Sequence, residues 1–378
     1  MISQERIVNL FMELVQVDSE TKHEEMIAQV LTDKFKGLGL DVVEDDSKAR
    51  SGHGAGNLIV TWPAAEGITA APKLLFTSHM DTVTPGKGIK PILQEDGWIT
   101  SDGTTILGSD DKAGLAALLE SIRIIQEQQL PHGQIQFVIT VGEESSLAGA
   151  RSLDPSLLDA DFGYALDCNG EVGSICVAAP ALAKINMKIF GKSAHAGVNP
   201  EDGISAIQVA SRSISAMKLG RIDKETTANI GKFEGGSATN VVCDYVELHA
   251  EARSLVQEKV EHQIQQMREA LETTARSAGA QAEFRSELMY PGFSFNEQDD
   301  VVQLANRAIE GISFPTRIFQ SGGGSDANIF NGLGVPTVNL AVGYENIHTT
   351  QERIKAEDLV KVTQVVLAII GEAAKSSK

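Results

Sequence analysis

The sequence of 378 residues has little cysteine, few basic residues and no long apolar run. Its three cysteines, Cys168, Cys176 and Cys243, form no CxxC pair and indicate no disulfide framework. Lysine and arginine number 32 against 51 aspartates and glutamates, and the resulting net charge of −19 argues against a nucleic-acid partner. No apolar run approaches the roughly 20 residues that span a bilayer. The N-terminal segment also lacks the basic region and apolar core of a secretion signal. These absences predict a cytoplasmic protein with no membrane partner.

The length of the chain exceeds that of a single ordinary core, so two domains are expected. In the first half, helical patterns alternate with apolar extended segments, which is typical of an open, largely parallel sheet covered by helices. The helical patterns cover about 3–17, 23–38 and 112–129, and the extended segments lie near 57–62, 73–78, 134–141 and 162–166. A serine hydrolase is disfavoured because the sequence contains no GxSxG motif.

The rhythm of the sequence changes near residue 180. The following segments predict the order β-α-β-β-α-β, which is the ferredoxin-like arrangement. The β-α rhythm resumes after about residue 292. We therefore predict an α/β protein in which a discontinuous sheet domain, 1–178 and 292–378, carries an inserted ferredoxin-like α+β domain, 179–291.

The segment 75-LFTSHMDTV-83 ends an apolar run with a histidine and an aspartate two residues apart. Residues i and i+2 of an extended chain point to the same side, so His79 and Asp81 share one face at a strand end. The pair has two interpretations. It is either a histidine satisfied by a nearby acid, or a metal ligand held in place by a carboxylate.

Four further turns carry acids or a histidine, and two of them directly follow predicted strands. In an open α/β sheet the reactive crevice lies beyond the carboxyl ends of the strands, so these turns are expected to converge there. Taken singly, each turn has an ordinary explanation, such as helix capping for the Asp-Asp pair or solvated surface for the Glu-Glu pair. Five such coincidences at one edge are improbable. The converging residues would be His79, Asp110 or Asp111, Glu143, Glu144, Asp167 and His348.

Two histidines with several carboxylates suit zinc, cobalt or manganese. The carboxylates outnumber what one ion needs, which favours two metal ions. Two neighbouring cations require a bridging carboxylate, and a further carboxylate beside a bridging water could accept its proton.

The ordered motifs SHMDTV, GSDDKAG, GEES, ALD and NIH resemble those of a family of two-zinc peptidases. This family includes peptidase T, glutamate carboxypeptidases, aminoacylases and succinyl-diaminopimelate desuccinylase, and peptidase T-like proteins look closest. The resemblance covers nearly the whole chain and implies a metal-binding catalytic domain with an inserted lid or dimerisation domain. It also implies a cis peptide bond after Asp110.

The resemblance assigns a role to each matching residue. The implied roles are His79 and Asp167 as ligands of one zinc, Glu144 and His348 as ligands of the other, Asp110 as the bridge, Asp81 as the partner of His79, and Glu143 as the general base. In the inserted domain, His195 would stabilise the oxyanion, and Asn240 and Arg253 would contact the substrate. An ordinary charge at a strand end is the alternative for Arg253.

The resemblance predicts a zinc-dependent exopeptidase that removes the N-terminal residue from short peptides by attack of a metal-bridging water. Cobalt or manganese are the predicted substitutes for zinc. A carboxypeptidase or an amidohydrolase of N-acyl amino acids shares every motif, and an inactive metal-binding scaffold is the alternative of another class. The predicted partners are a short peptide substrate and a second copy of the chain, bound through the inserted domain.

Overall fold

The computed structural model describes residues 2–375. The helices are α1 (Gln4–Val15), α2 (Glu25–Gly37), α3 (Ser47–Ser51), α4 (Ser109–Gln128), α5 (Ala148–Arg151), α6 (Ala206–Ala216), α7 (Gln257–Ser277), α8 (Asp300–Gly311), α9 (Asp326–Gly332) and α10 (Ala356–Lys375). The strands are β1 (Val43–Glu44), β2 (Leu58–Trp62), β3 (Leu74–His79), β4 (Ile92–Leu93), β5 (Trp98–Thr100), β6 (Ile135–Thr140), β7 (Phe162–Cys168), β8 (Ser174–Ala179), β9 (Ala181–Phe190), β10 (Gly220–Arg221), β11 (Thr226–Gly235), β12 (Tyr245–Ser254), β13 (Gln281–Tyr290), β14 (Phe293–Ser294), β15 (Arg317–Gln320), β16 (Thr337–Ala341) and β17 (Arg353–Lys355). None of the helices within these residues is long and apolar enough to span a membrane.

The chain divides into two compact units. The first unit comprises residues up to Ala178 together with Phe295–Ser321 and the segment from Ser325 onward, and the second comprises Ala179–Ser294 and Gly322–Gly324. This division ends the second unit at Ser294, where the sequence suggested residue 291, and adds the short glycine segment to it.

The first unit is built on a sheet in the order β1-β2-β6-β3-β7-β16-β8, and β15 pairs with β8. Strands β6, β3, β7 and β16 run parallel to one another. Every residue of β3, β6 and β16 is buried, as expected for apolar strands covered on both faces. The carboxyl ends of these four neighbouring strands therefore meet at one edge of the sheet.

Amphipathic helices cover this sheet and close the core of the first unit. Helix α1 is capped by Ser3, whose side chain accepts a hydrogen bond from the Arg6 amide, and the helix buries Phe11 and Leu14. Helix α4 is buried along most of its length and packs against α1 and α10. Burial of such apolar side chains contributes about 1.5–3 kcal/mol each.

The second unit is an antiparallel sheet in the order β10-β11-β12-β9-β13, with α6 and α7 packed against it. Its chain order, β9-α6-β11-β12-α7-β13, is the predicted β-α-β-β-α-β order, with the short β10 added. Its own core is formed by alternating residues of the strands, such as Ile185, Met187 and Ile189, and by Met267 and Leu271 of α7. The predicted fold class, an α/β protein with a mostly parallel sheet and a smaller α+β part, is confirmed.

Candidate active site

His79 is the last residue of β3, and its ring is almost completely buried. Its Nδ1 atom lies 3.0 Å from the Asp81 carbonyl oxygen and 3.4 Å from Asp81 Oδ1. Its Nε2 atom lies 3.0 Å from Asp110 Oδ1 and 3.9 Å from Asp167 Oδ1. One ring nitrogen therefore faces Asp81, and the other faces the two carboxylates expected to share a metal with it.

Asp81 is fully buried, and besides His79 it contacts the loop after β6. Its Oδ1 accepts a hydrogen bond from the Glu143 amide at 3.0 Å, and its Oδ2 accepts one from the Glu144 amide at 3.3 Å. Burial opposes ionisation of Asp81, but the hydrogen bond and charge of His79, together with the hydrogen bonds from the Glu143 amide and Thr21, outweigh it and lower the pKa of the carboxyl. Asp81 thus ties the end of β3 to the loop after β6.

The loop after β6 turns sharply at Gly142, which has φ +59. A Cβ atom at this position would lie 2.3 Å from His53 Nε2, so only glycine fits both the backbone and the space. The Leu147 amide donates to the Glu143 carbonyl, which closes the loop over the two glutamates. Glu143 and Glu144 are both partly buried.

Asp110 precedes the regular part of α4, because Asp110 and Asp111 have non-helical backbone angles. The Asp110–Asp111 peptide bond is cis, which confirms that prediction. Asp110 Oδ1 faces His79, and Asp110 Oδ2 lies 3.3 Å from His348 Nε2. The two oxygens of one buried carboxylate therefore face two different histidines, which come from distant parts of the chain.

His348 follows β16 in a loop where it adopts φ +63, and its side chain is 49% exposed. Its Nε2 atom also lies 3.0 Å from Glu144 Oε1. Hydrogen bonds with Asp110 and Glu144 raise the pKa of His348 to about 10. At the end of β7, Asp167 accepts a hydrogen bond from the Tyr344 hydroxyl at 3.0 Å.

Burial has the largest effect on the acids at this edge, and repulsion between neighbouring carboxylates adds to it. Burial raises the pKa of Glu143, Glu144 and Asp167, and neighbouring carboxylates raise it further. The pKa of Asp110 is instead lowered: its burial opposes ionisation, but hydrogen bonds with the two histidines outweigh it. Several acids that repel one another around two histidines form a donor set that a cation would stabilise.

Three groups of these side chains could hold a metal ion. In each group the ligand atoms all lie within 4.8 Å of one another. The groups are His79 with Asp110 and Asp167, Asp110 with Glu144 and His348, and His79 with Glu143 and Glu144. Asp110 belongs to two of them, and its nitrogen- and oxygen-donor neighbours suit a first-row divalent ion.

The remaining predicted residues lie in the second unit. His195 is exposed in the loop after β9 and forms a β-bridge with Val241, next to Asn240. The Asn240 carbonyl accepts a hydrogen bond from the Ala196 amide, so the His195 and Asn240 segments lie side by side. Arg253 lies on β12 and its Nε donates to Glu251 Oε1 at 2.9 Å.

Arg253 and the His195 loop lie at opposite ends of the same ladder. Arg253 is paired with Leu182 at the start of β9, whereas Tyr245 is paired with Phe190 at its end, from which the chain enters the His195 loop. The eight steps from Arg253 to Tyr245 span about 27 Å at about 3.4 Å per residue. The structure therefore brings His195 and Asn240 together but not Arg253.

Three buried charged residues at the site escaped sequence reasoning. The Lys112 ammonium donates to Ser19 Oγ and to the Met80 carbonyl, each at 2.8 Å, and burial lowers its pKa to about 8. Asp326 is the first residue of α9 and accepts a hydrogen bond from the Thr140 hydroxyl, and burial raises its pKa to about 6. Glu352 accepts hydrogen bonds from the segment before Asp110. The only sequence signal was that Lys112 and Glu352 stand two and four residues from predicted ligands.

Comparison with known proteins agrees with this geometry. Residues 75–372 match the peptidase family M20/M25/M40. The chain belongs to this family. It is 59% identical to the aminopeptidase PepT of Bacillus cereus ATCC 10987, with a TM-score of 0.93 and 99% of each chain covered. It is 52% identical to a tripeptidase of Staphylococcus aureus subsp. aureus Mu50, with a TM-score of 0.95 and coverage of 99% of this chain and 100% of the other. It is also 57% identical to the protein YqjE of Bacillus subtilis strain 168, over 99% of this chain and 100% of that protein.

Membership of the family confirms the resemblance drawn from the motifs, including the likeness to peptidase T. It also confirms the predicted enzyme class, a metal-dependent hydrolase of peptide bonds. The roles of individual residues, the identity of the metal, the cytoplasmic location and the homodimer stay predictions.

Proposed function

We propose that the protein is an exopeptidase with two metal ions that removes the N-terminal residue from short peptides. The observation that carries the proposal is the Asp110 carboxylate, whose two oxygens face His79 and His348 separately. This arrangement is what a carboxylate shared by two cations requires. The N-terminal direction and the short substrate are favoured by the similar proteins described as an aminopeptidase and a tripeptidase.

In this proposal each ion has three protein ligands. His79, Asp110 and Asp167 hold one ion, and Asp110, Glu144 and His348 hold the other. Zinc suits these nitrogen and oxygen donors, and cobalt or manganese would substitute for it. When bound, such ions polarise the scissile carbonyl and lower the pKa of water.

Glu143 is the proposed general base. Its carboxylate accepts a proton from the attacking water and donates that proton to the nitrogen of the leaving amine. Asp81 contacts both residues, because it accepts a hydrogen bond from the Glu143 amide and faces the His79 ring. It therefore fixes the position of the base relative to the first metal ligand.

His195 is the proposed oxyanion donor, and Asn240 and Arg253 are the proposed substrate contacts. An extended tripeptide is only about 10 Å long. A single second unit cannot place both ends of a 27 Å ladder on so short a substrate. We therefore propose a homodimer in which one copy supplies Arg253 and the other supplies His195 and Asn240 to the same peptide.

A panel of peptides tests the direction of cleavage. The zinc-loaded enzyme would be assayed on a free tripeptide, the same peptide acetylated at its amino end, the same peptide amidated at its carboxyl end, and an N-acetyl amino acid. We expect acetylation to abolish cleavage, and amidation to raise KM because Arg253 loses its carboxylate. Rapid cleavage of the N-acetyl amino acid without action on the free tripeptide would establish an amidohydrolase instead.

Mixing two inactive variants tests the exchange of residues between copies. His195→Ala retains the metal ligands, and Asp110→Ala retains His195. If His195 acts on the partner's site, a mixture reassembled from separated subunits regains one complete site in each mixed dimer. If the mixture stays as inactive as its components, His195 acts within its own chain.

A further inference from the structure

Glu352 is a buried carboxylate with only 1% of its surface exposed, four residues after His348. Both of its oxygens accept hydrogen bonds from a segment more than 240 residues earlier in the chain. Oε2 accepts the Leu107 and Gly108 amides at 2.9 Å each. Oε1 accepts the Ser109 hydroxyl at 2.7 Å and the Asp110 amide at 3.0 Å. One carboxylate thus binds four consecutive residues that end at Asp110.

The turn that carries Glu352 also carries His348. The Glu352 amide donates to the Thr349 carbonyl at 3.2 Å, which closes this turn. Its histidine faces the side chain of Asp110, at 3.3 Å from Oδ2, while its glutamate holds the main chain of the same residue. The turn therefore contacts Asp110 at two points, its side chain and its backbone amide. The backbone hydrogen bond does not depend on the histidine.

The backbone hydrogen bonds to Glu352 matter because the Asp110 segment has no regular secondary structure that would define its position. Asp110 and Asp111 depart from helical geometry, and Gly108 has φ +75, so local propensity does not define the path of this segment. Hydrogen bonds to a charged group stabilise a structure more than hydrogen bonds between neutral groups do. Four of them aimed at one buried carboxylate define the position of the segment.

We infer that Glu352 is a positioning residue that locks the Asp110 segment onto the His348 turn, so that the ligands of both proposed metal ions are set before metal binds. This inference rests on the proposed function, because it takes Asp110 as the shared ligand. It predicts that removing the charge of Glu352 weakens binding of both ions together, although Glu352 itself touches neither.

The test compares Glu352→Gln with Glu120→Gln. Glutamine has the same shape, but its NH2 group cannot accept a hydrogen bond. It would lose the Asp110 amide bond on one side, where the Ser109 hydroxyl can turn to accept, or both amide bonds on the other. Glu120 is an equally buried carboxylate on α4, paired with Arg6 away from the metal ligands, and so controls for the loss of a buried charge. Circular dichroism and thermal melts would first define a temperature at which each variant is folded. Zinc affinity would then be measured by competition with a chromophoric chelator.

We expect zinc affinity to fall about 10–100-fold in Glu352→Gln, as is typical when a residue behind a metal ligand is changed, and to stay unchanged in Glu120→Gln. Ser109→Ala, which removes one of the four donors, should produce a smaller fall in the same direction. In the metal-free protein, hydrogen exchange of the Leu107, Gly108 and Asp110 amides should accelerate in Glu352→Gln and not in Glu120→Gln.

Asp110→Ala separates this inference from the proposed function. If Asp110→Ala loses both ions while Glu352→Gln binds zinc as tightly as the unmodified protein, the inference is wrong and the proposed function stands. If Asp110→Ala retains both ions, the proposed site is wrong and the inference is overturned with it. Unchanged exchange of the three amides in Glu352→Gln would also overturn it.

Discussion

Glu143→Gln distinguishes the general base from the metal ligands. Glutamine preserves the length of the side chain but cannot accept the proton that the proposed mechanism assigns to Glu143. The backbone of the loop should stay in place, because the Glu143 amide still donates to Asp81 and Gly142 still makes the turn. Loss of a general base typically lowers turnover about 10²–10⁴-fold. This corresponds to about 3–5 kcal/mol of lost transition-state stabilisation.

The metal content expected of each variant follows from the groups of side chains that could hold an ion. Glu143 is absent from the two groups that share Asp110, and it takes part only in the third group, with His79 and Glu144. We therefore expect Glu143→Gln to retain two ions per chain with a large fall in kcat. Glu144→Gln should instead lose the ion that it shares with His348.

The assay combines steady-state hydrolysis of a tripeptide with elemental analysis of the same dialysed samples. A Glu143→Gln variant that loses an ion would show that the third group is the one that binds metal, and the reasoning would fail. The assignment of the two glutamates would be reversed if Glu143→Gln stayed active and Glu144→Gln kept both ions. Asp110→Ala serves as the reference for loss of both ions.

Three further predictions follow from the same contacts. Asp81→Asn should lower zinc affinity about 10–100-fold, measured by chelator competition. The reason is that the NH2 group of asparagine cannot accept a hydrogen bond, whereas both oxygens of Asp81 face donors on His79 and the loop after β6. An unchanged affinity would contradict the role of Asp81. Gly142→Ala should lower the free energy of unfolding, measured in urea, by about 2–5 kcal/mol, because alanine is strained at positive φ and its Cβ would clash with His53. Gly39→Ala is the control, since Gly39 has positive φ but open space around it, and it should lower the same free energy by only about 1–2 kcal/mol. Equal losses in the two variants would refute the clash. Removal of metal by a chelator should lower the melting temperature, since an ion at 100 times its Kd stabilises the folded state by about 2.7 kcal/mol, and readdition of zinc should restore it. A melting temperature that does not respond to metal would contradict the proposed site.

The sequence was most informative where a residue's place follows from strand geometry. His79 and Asp81 stand two residues apart at a strand end, and the structure places both on one side, with one ring nitrogen facing the aspartate. Parallel neighbours β6, β3, β7 and β16 have their carboxyl ends at one edge, which is why Glu143, Asp167 and His348 could be expected there. The helical pattern at 112–129 likewise matches the regular part of α4.

Other features depend on contacts between distant segments and left little trace in the sequence. Strand β15 has only four residues, and it is defined by its pairing with β8 rather than by its own pattern. Glu352 and Lys112 look like surface charges, because burial of a charged residue depends on which donors or acceptors the fold brings to it. Predicting the separation of Arg253 from His195 would have required the register of β12 against β9, and spacing along the chain does not define that register.

The position of β16 has a consequence for the order of events during synthesis. This strand lies between β7 and β8 in the sheet, although it follows both by more than 150 residues. Until it emerges from the ribosome, β7 and β8 each lack a neighbour on that side, and His348 has not yet been made. A nascent chain at that stage therefore contains the proposed base and most of the proposed metal ligands, but it lacks His348. Any product of premature termination before β16 would have open strand edges and would lack a proposed ligand of the second ion.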